Sequence, residues 1–92
     1  MKLHELKTDS ILFDDVWAGN KTFEIRYNDR NFQVGDFLWL RKTMYSGKEM
    51  KQGRDLIYMN SEITAKITYI LTGYGLKNNW CILGIDVIER IK

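Results

Sequence analysis

The chain has 92 residues, a formal net charge of +2 and no proline. This length is typical of one small domain, here residues 1–92, with a core of modest size. Hydrophobic residues make up 45% of the sequence, which excludes a disordered chain. The mildly basic balance does not by itself indicate nucleic-acid binding, for which a domain pI above about 9 with clustered Lys and Arg is usual.

The sequence contains one cysteine and one histidine, which excludes an internal disulfide and a Cys/His zinc site. Cys81 lies in an apolar run and is predicted to be a small buried residue. We expect no metal and no cofactor. No apolar span of about 20 residues and no signal-peptide core is present, so we expect a cytoplasmic protein with no membrane partner. The sequence leaves the oligomeric state open.

The residue pattern predicts an α+β domain that begins with a strand and a helix. The first strand runs from Leu3 to Lys7. The polar residues that follow it suit a helix N-terminus, and the helix is predicted over Ser10–Ala18. We expect the helix to pack through Leu12, Val16 and Trp17, because residues three or four apart share one helix face.

The second strand is predicted from Thr22 to Tyr27, after Gly19 ends the helix in a left-handed conformation. Successive side chains of a strand point to opposite faces. We therefore expect Phe23 and Ile25 to face the core, with a polar row on the other face made by Thr22, Glu24 and Arg26. Lys21 can reach this row from the preceding loop. The plainest interpretation of the row is a solvated surface with a Glu–Arg pair, which would contribute little to stability.

Three further strands are predicted after the Val34-Gly35-Asp36 turn. A continuous apolar run marks the strand at Phe37–Leu40. The strand from Glu62 to Leu71 places alternate residues in the core: Ile63, Ala65, Ile67, Tyr69 and Leu71. The last strand covers Trp80–Ile88. The segment 41–60 is rich in Lys and Arg, and we expect a long loop that is either solvated or a basic arm.

A resemblance to a known family adds to this pattern. The residues Gly19, Lys21, Thr22, Glu24 and Arg26 read as G-x-K-T-x-E-x-R, between the helix and the Val34-Gly35-Asp36 turn. This motif resembles the signature of the ASCH domain (activating signal cointegrator homology), a member of the PUA-like superfamily. The motif and its flanking segments also resemble a small uncharacterised family of ASCH-like proteins of bacteria and phages. The resemblance implies a small, mostly antiparallel PUA-like β-barrel with one main helix packed against it.

The resemblance also implies RNA binding, because ASCH and PUA-like domains are associated with RNA. Lys and Arg side chains can contact phosphates, a carboxylate can accept from a base amino group, and tyrosines can stack on unpaired bases. The predicted RNA or nucleotide contacts are Lys21, Glu24, Arg26, Tyr27, Arg30, Lys48 and Tyr74.

Two alternatives remain open at this stage. Some members of the ASCH family, which this chain resembles, are amidohydrolases of N-acylated cytidine. For this chain, that resemblance implies three catalytic residues, Lys21, Thr22 and Glu24, with Glu62 as a further carboxylate. Glu24 stands where those relatives have a Thr nucleophile, so we expect no such turnover. The other alternative is a sensor of a nucleotide or modified base that uses the same residues without catalysis.

Overall fold

The computed structural model describes residues 1–92. One five-stranded sheet dominates the molecule, and two short helices accompany it. The elements in chain order are β1 (Leu3–Asp9), α1 (Ser10–Trp17), β2 (Phe23–Tyr27), β3 (Phe37–Thr43), α2 (Gly47–Lys51), β4 (Tyr58–Leu71) and β5 (Trp80–Ile91). The predicted α+β class and the order of the predicted elements are confirmed. The additional helix α2 lies in the segment that was expected to be a long loop.

The sheet has the strand order β1-β3-β4-β5-β2 and curls into a half-barrel. Strands β1 and β3 are parallel, and the other three pairings are antiparallel. The edge strands are therefore β1 and β2, which do not pair with each other. We refer to the gap between these two strands as the seam.

The core lies inside the curl of the sheet, where α1 packs against it. Phe13 and Val16 carry the buried face of α1, and Trp17 is partly buried beside them. The predicted role of Leu12 in this packing is wrong, because its side chain is 44% exposed. Leu12 stands on the flank of the helix that faces the seam, while residues 13, 16 and 17 share the face that meets the sheet. The buried apolar residues are Leu6, Phe13, Val16, Phe32, Leu38, Leu40, Ile63, Ala65, Ile67, Cys81, Leu83 and Ile85.

The alternation predicted for β4 holds only as far as Ile67. A register shift between Ile67 and Tyr69, where β4 pairs with β5, turns the following side chains over. Tyr69 is consequently 61% exposed, and Ile70 packs against the core in its place. A bulge of this kind places two residues of one strand opposite one residue of its partner, which a strict two-residue period does not predict.

Strand β2 buries the face that was expected to be exposed. Glu24 is 3% exposed, whereas Phe23 and Ile25 are 37% and 48% exposed. Glu24 lies opposite the buried Leu83 of β5, and this pairing sets the inward face of β2. Alternation correctly separated the polar row from the apolar row but did not show which row faces inward. An edge strand beside an open seam can carry polar groups on its inner face because cations at the seam partner the carboxylate.

A buried polar pair joins the start of β1 to the start of β3. His4 Nε2 donates to Asp36 Oδ2 at 2.9 Å. The backbone N–H groups of Lys2 and Gln33 donate to the same carboxylate. The bond from His4, with help from these two N–H groups, lowers the pKa of Asp36 to about 2, although burial opposes the shift. Gly35, with a φ of +96°, makes the predicted turn that delivers Asp36 to this position.

Candidate functional site

The seam is bridged by side chains rather than by a main-chain ladder. Arg26 Nη2 of β2 donates to the carbonyl oxygen of Lys7 at 3.1 Å. Arg30, just after β2, donates through Nη1 to the carbonyl oxygen of Glu5 at 2.7 Å. Both carbonyls belong to the unpaired edge of β1, so the two arginines satisfy acceptors that a neighbouring strand would otherwise satisfy.

Glu24 is the buried centre of a charged cluster at this seam. Lys21 Nζ donates to Glu24 Oε2 at 2.5 Å and also to the carbonyl oxygen of Phe23. Arg26 donates to Glu24 Oε1 from Nη2 at 2.8 Å and from Nε at 3.3 Å. The side chains of Lys21 and Arg26 are only 14% and 23% exposed. The interpretation of this row as a solvated surface is therefore wrong, and the predicted approach of Lys21 from the loop is confirmed.

A cleft of about 410 Å³ opens directly above this cluster. Its polar lining comes from both edge strands and from the loop before β2: Lys7, Thr8, Asp9, Lys21, Glu24 and Arg26. The side chain of Leu12, from α1, lines one side of the cleft. The cleft combines a buried carboxylate, two cations bound to it and a further lysine. This set can accept a hydrogen bond from a neutral donor and attract an anion at the same time.

Arg26 also lines two neighbouring clefts along the seam. One has a volume of about 490 Å³ and extends toward Arg30 and Lys51 of α2. The other has a volume of about 270 Å³ and lies against Tyr27 and Trp80. The rings of Tyr27 and Trp80 meet edge to face, with centroids 6.0 Å apart. The three clefts share lining residues and together follow the seam, with Arg26 at their junction.

The structure brings five of the seven predicted binding residues to these clefts. Lys21, Glu24, Arg26, Tyr27 and Arg30 line one or more of them. Lys48 lies on the exposed helix α2 but lines none of them. Tyr74 is 92% exposed in the β4–β5 loop and is also absent from their lining.

The residues suggested for a hydrolase do not assemble into one set. Lys21 and Glu24 are paired, but Thr22 is exposed and does not line the cleft. Glu62 does not line the cleft, and its Oε1 accepts a hydrogen bond from Trp39 Nε1 at 2.8 Å. Thr8 is the hydroxyl that lines the cleft, and its partners are Arg26 Nη2 and the carbonyl of Leu6. Neither partner can take up a proton, so no general base is hydrogen-bonded to this hydroxyl.

Several cleft residues were missed from the sequence. Lys7, Thr8 and Asp9 come from the end of β1, whose inward face was not evident. Alternation with the buried Leu6 would have placed Thr8 inside, which is where it lies at 2% exposure. Lys51 belongs to the basic segment 41–60, but no local pattern distinguished it from Lys48, because its position depends on how α2 folds back toward the seam.

Part of the basic segment 41–60 is used by the fold. Arg41 belongs to β3, pairs with Glu5 at 2.7 Å and stands over the ring of Tyr58 at 3.7 Å. The bond to Glu5 raises the pKa of Arg41. Ser46 and Glu49 form a capping box at the start of α2. Hydrogen bonds from the Ser46 backbone and side chain also lower the pKa of Glu49.

The structure contains no group of three or more His, Cys, Asp or Glu residues placed to hold a metal ion. Neither helix has the length and apolar character needed to span a membrane. Cys81 lies on β5 opposite Arg26 of β2 and is buried, and burial raises the pKa of its thiol. The candidate site is the charged seam.

These features define a small α+β domain whose curled sheet leaves a charged cleft between its two edge strands. A family model described as a domain of unknown function, DUF3850, matches residues 3–85. The match spans both edge strands and the whole charged cluster, and the chain belongs to this family. No curated protein matches the chain.

Proposed function

We propose that this chain is an ASCH-type, PUA-like module that binds single-stranded RNA, with one base seated above Glu24. The observation that carries the proposal is the buried Glu24 carboxylate at the floor of an open cleft, held between Lys21 and Arg26. The resemblance of the G-x-K-T-x-E-x-R motif to the ASCH signature supports RNA as the ligand.

The chemistry of the cleft suits a nucleobase with an exocyclic amino group. An ionised carboxylate accepts hydrogen bonds only, and its two oxygens offer about four acceptor positions. Lys21 and Arg26 use some of these positions and leave acceptor capacity for the cleft. Glu and Asp side chains accept from the N4 amino group of cytosine in known base recognition. Uracil presents an oxygen at that position, which a carboxylate would repel.

The size and charge of the cleft agree with a nucleoside. Its volume of about 410 Å³ lies in the lower part of the range for small-ligand pockets, about 300–1,000 Å³. Lys7 lines the cleft and forms no ion pair, so a cation stays free to meet a phosphate. A carboxylate beside the cations also disfavours indiscriminate phosphate binding, which supports a selective pocket over a flat basic patch.

Binding is favoured over amide hydrolysis because the cleft lacks an activated nucleophile. Thr22 does not line it, and Thr8 has only a guanidinium and a carbonyl as partners. Nucleophilic catalysis needs a base within about 2.6–3.2 Å of the hydroxyl. The same cleft suits a nucleotide sensor equally well in its base contacts, so the length of the ligand distinguishes the two binding functions.

The experiment is a fluorescence titration of the protein with short oligocytidine and oligouridine RNA of equal length. We expect wild type to prefer oligocytidine and Glu24→Gln to lose that preference, because the neutral amide no longer offers a carboxylate to the amino group. Arg26→Ala should weaken oligocytidine binding by about 1.5–3 kcal/mol, the contribution of a charge-assisted hydrogen bond. The proposal fails if wild type binds neither RNA at low salt, or if both variants bind as wild type does.

A suitable control is Arg54→Ala. Arg54 is exposed, lies over the ring of Tyr45 at 5.1 Å and lines none of the three clefts. It removes the same charge as Arg26→Ala without touching the seam, so binding that falls equally in both variants would indicate a general charge effect.

A further inference from the structure

The cleft of about 490 Å³ next to the Glu24 cleft is the most cationic part of the seam. Four cations line it, from β1, β2, the segment after β2 and α2: Lys7, Arg26, Arg30 and Lys51. Its one acidic lining residue is Asp9, whose Oδ1 accepts from the backbone N–H of Gly47 at 3.0 Å. The cleft therefore carries an excess of positive charge.

Most of this charge is not neutralised by the protein. Lys7 and Lys51 form no ion pair. Arg30 binds the neutral carbonyl of Glu5, and its contact with the exposed Asp29 is a loose 3.7 Å. Only Arg26 has a close carboxylate partner, Glu24, at 2.8 Å. An open cleft lined by unpartnered cations attracts anions, and three of the four cations here keep their full charge.

This basic cleft adjoins the Glu24 cleft. Lys7, Asp9 and Arg26 line both, so the two clefts are immediate neighbours along the seam. The Glu24 cleft offers a buried carboxylate for a base. The basic cleft offers three cations without a close carboxylate partner: Lys7, Arg30 and Lys51. A carboxylate followed by cations along the seam matches a polynucleotide, in which each base is attached to a backbone of phosphates.

We infer that the basic cleft is a phosphate track, and that the ligand is a single-stranded oligonucleotide rather than a mononucleotide. The inference rests on the proposed function and adds the length and path of the ligand: a base at Glu24, and following phosphates at Lys7, Arg30 and Lys51. A free nucleotide would place its phosphate near Lys7 and leave Arg30 and Lys51 without a phosphate. A duplex would keep its bases stacked and could not present one to Glu24.

The test compares cytidine monophosphate with a six-nucleotide oligocytidine at several salt concentrations. We expect tighter binding of the oligonucleotide and a steeper fall of its affinity with salt, by about 0.7 in the logarithmic slope for each phosphate contacted. Equal affinities and equal slopes for the two ligands would overturn the track and favour the nucleotide sensor, while leaving base recognition at Glu24 standing. Absence of binding by either ligand would overturn both.

Helix α2 supplies a matched pair of variants. Lys51 lines the basic cleft, whereas Lys48 lies on the same helix and lines none of the three clefts. Both side chains are exposed and unpaired, so neither substitution should disturb the fold, and a thermal melt verifies this.

Lys51→Ala should weaken oligocytidine binding about five- to tenfold at 50 mM salt, reduce the salt slope by about 0.7 and leave the affinity for cytidine monophosphate unchanged. Lys48→Ala should change none of these values. Equal losses in the two variants, or no loss in Lys51→Ala, would show that the oligonucleotide does not follow this track.

Discussion

Replacing Arg26 by alanine removes the cation on which all three clefts of the seam converge. The side chain forms two hydrogen bonds to the buried Glu24 carboxylate, one to the Lys7 carbonyl and one to the Thr8 hydroxyl. The sequence alone suggested an exposed pair whose loss would leave stability almost unchanged. The observed burial predicts a clear loss of stability, in addition to the loss of binding.

The size of this loss follows from the contacts. Hydrogen bonds to charged groups contribute about 1.5–3 kcal/mol each, and breaking a fully buried ion pair costs about 3–5 kcal/mol. The cost here should lie below that upper range, because Lys21 still pairs with Glu24 and the Arg26 side chain is 23% exposed. We expect Arg26→Ala to lower the free energy of unfolding by about 2–3 kcal/mol. For a domain of this size the melting temperature should fall by about 10–20 °C.

The assay is thermal and urea unfolding of wild type, Arg26→Ala and Arg26→Lys, with Arg54→Ala as the control. A domain of 92 residues has about 5–14 kcal/mol of stability, so Arg26→Ala should stay folded at 25 °C and its binding can be measured. Arg26→Lys keeps the charge but loses the planar fork, so it should fall between wild type and alanine. Arg54→Ala should remain within about 0.5 kcal/mol of wild type.

A melting temperature of Arg26→Ala within about 2 °C of wild type would refute this reasoning, because it would correspond to less than about 0.5 kcal/mol. That result would mean that water replaces the guanidinium at no cost, and that Glu24 is not in a desolvated position.

Three further predictions concern the core, the pH dependence and the chemistry. Phe13→Ala should cost about 3–5 kcal/mol in urea unfolding and Leu12→Ala less than about 1 kcal/mol, since only Phe13 is fully buried; equal costs would contradict the observed helix face. Asp36 has a folded pKa of about 2, below its ordinary value of 3.8, so its contribution to stability is complete above about pH 5 and is lost as the pH falls toward 2. Urea titrations across that range should show a loss that Asp36→Asn lacks, and a parallel loss in the variant would contradict the assignment. Chromatography at high enzyme concentration should detect no hydrolysis of N-acetylated cytidine; turnover that disappears in both Lys21→Ala and Thr22→Ala would establish the hydrolase instead.

The sequence determined the elements of this protein and their order, because period and capping are local properties. The two-residue alternation in β2 separated Glu24 and Arg26 from Phe23 and Ile25. The left-handed glycine at 19 marked the end of α1. A local signal for α2 was also present, since Ser46 and Glu49 have the capping-box spacing, but the surrounding basic residues favoured a loop.

Only the tertiary structure decided which face of β2 is buried. Alternation fixes two opposite faces and has no preference between them, whereas the pairing of β2 with β5 places Glu24 beside Leu83 in the interior. The bulge that exposes Tyr69 depends in the same way on the register with a distant strand. The cleft itself is formed because β1 and β2, far apart in the chain, become the two edges of one curled sheet. Lys7 gains a role in the proposed site through this curling of the sheet, and Lys51 gains one through the position of α2. Both are long-range properties that no local pattern of residues contains.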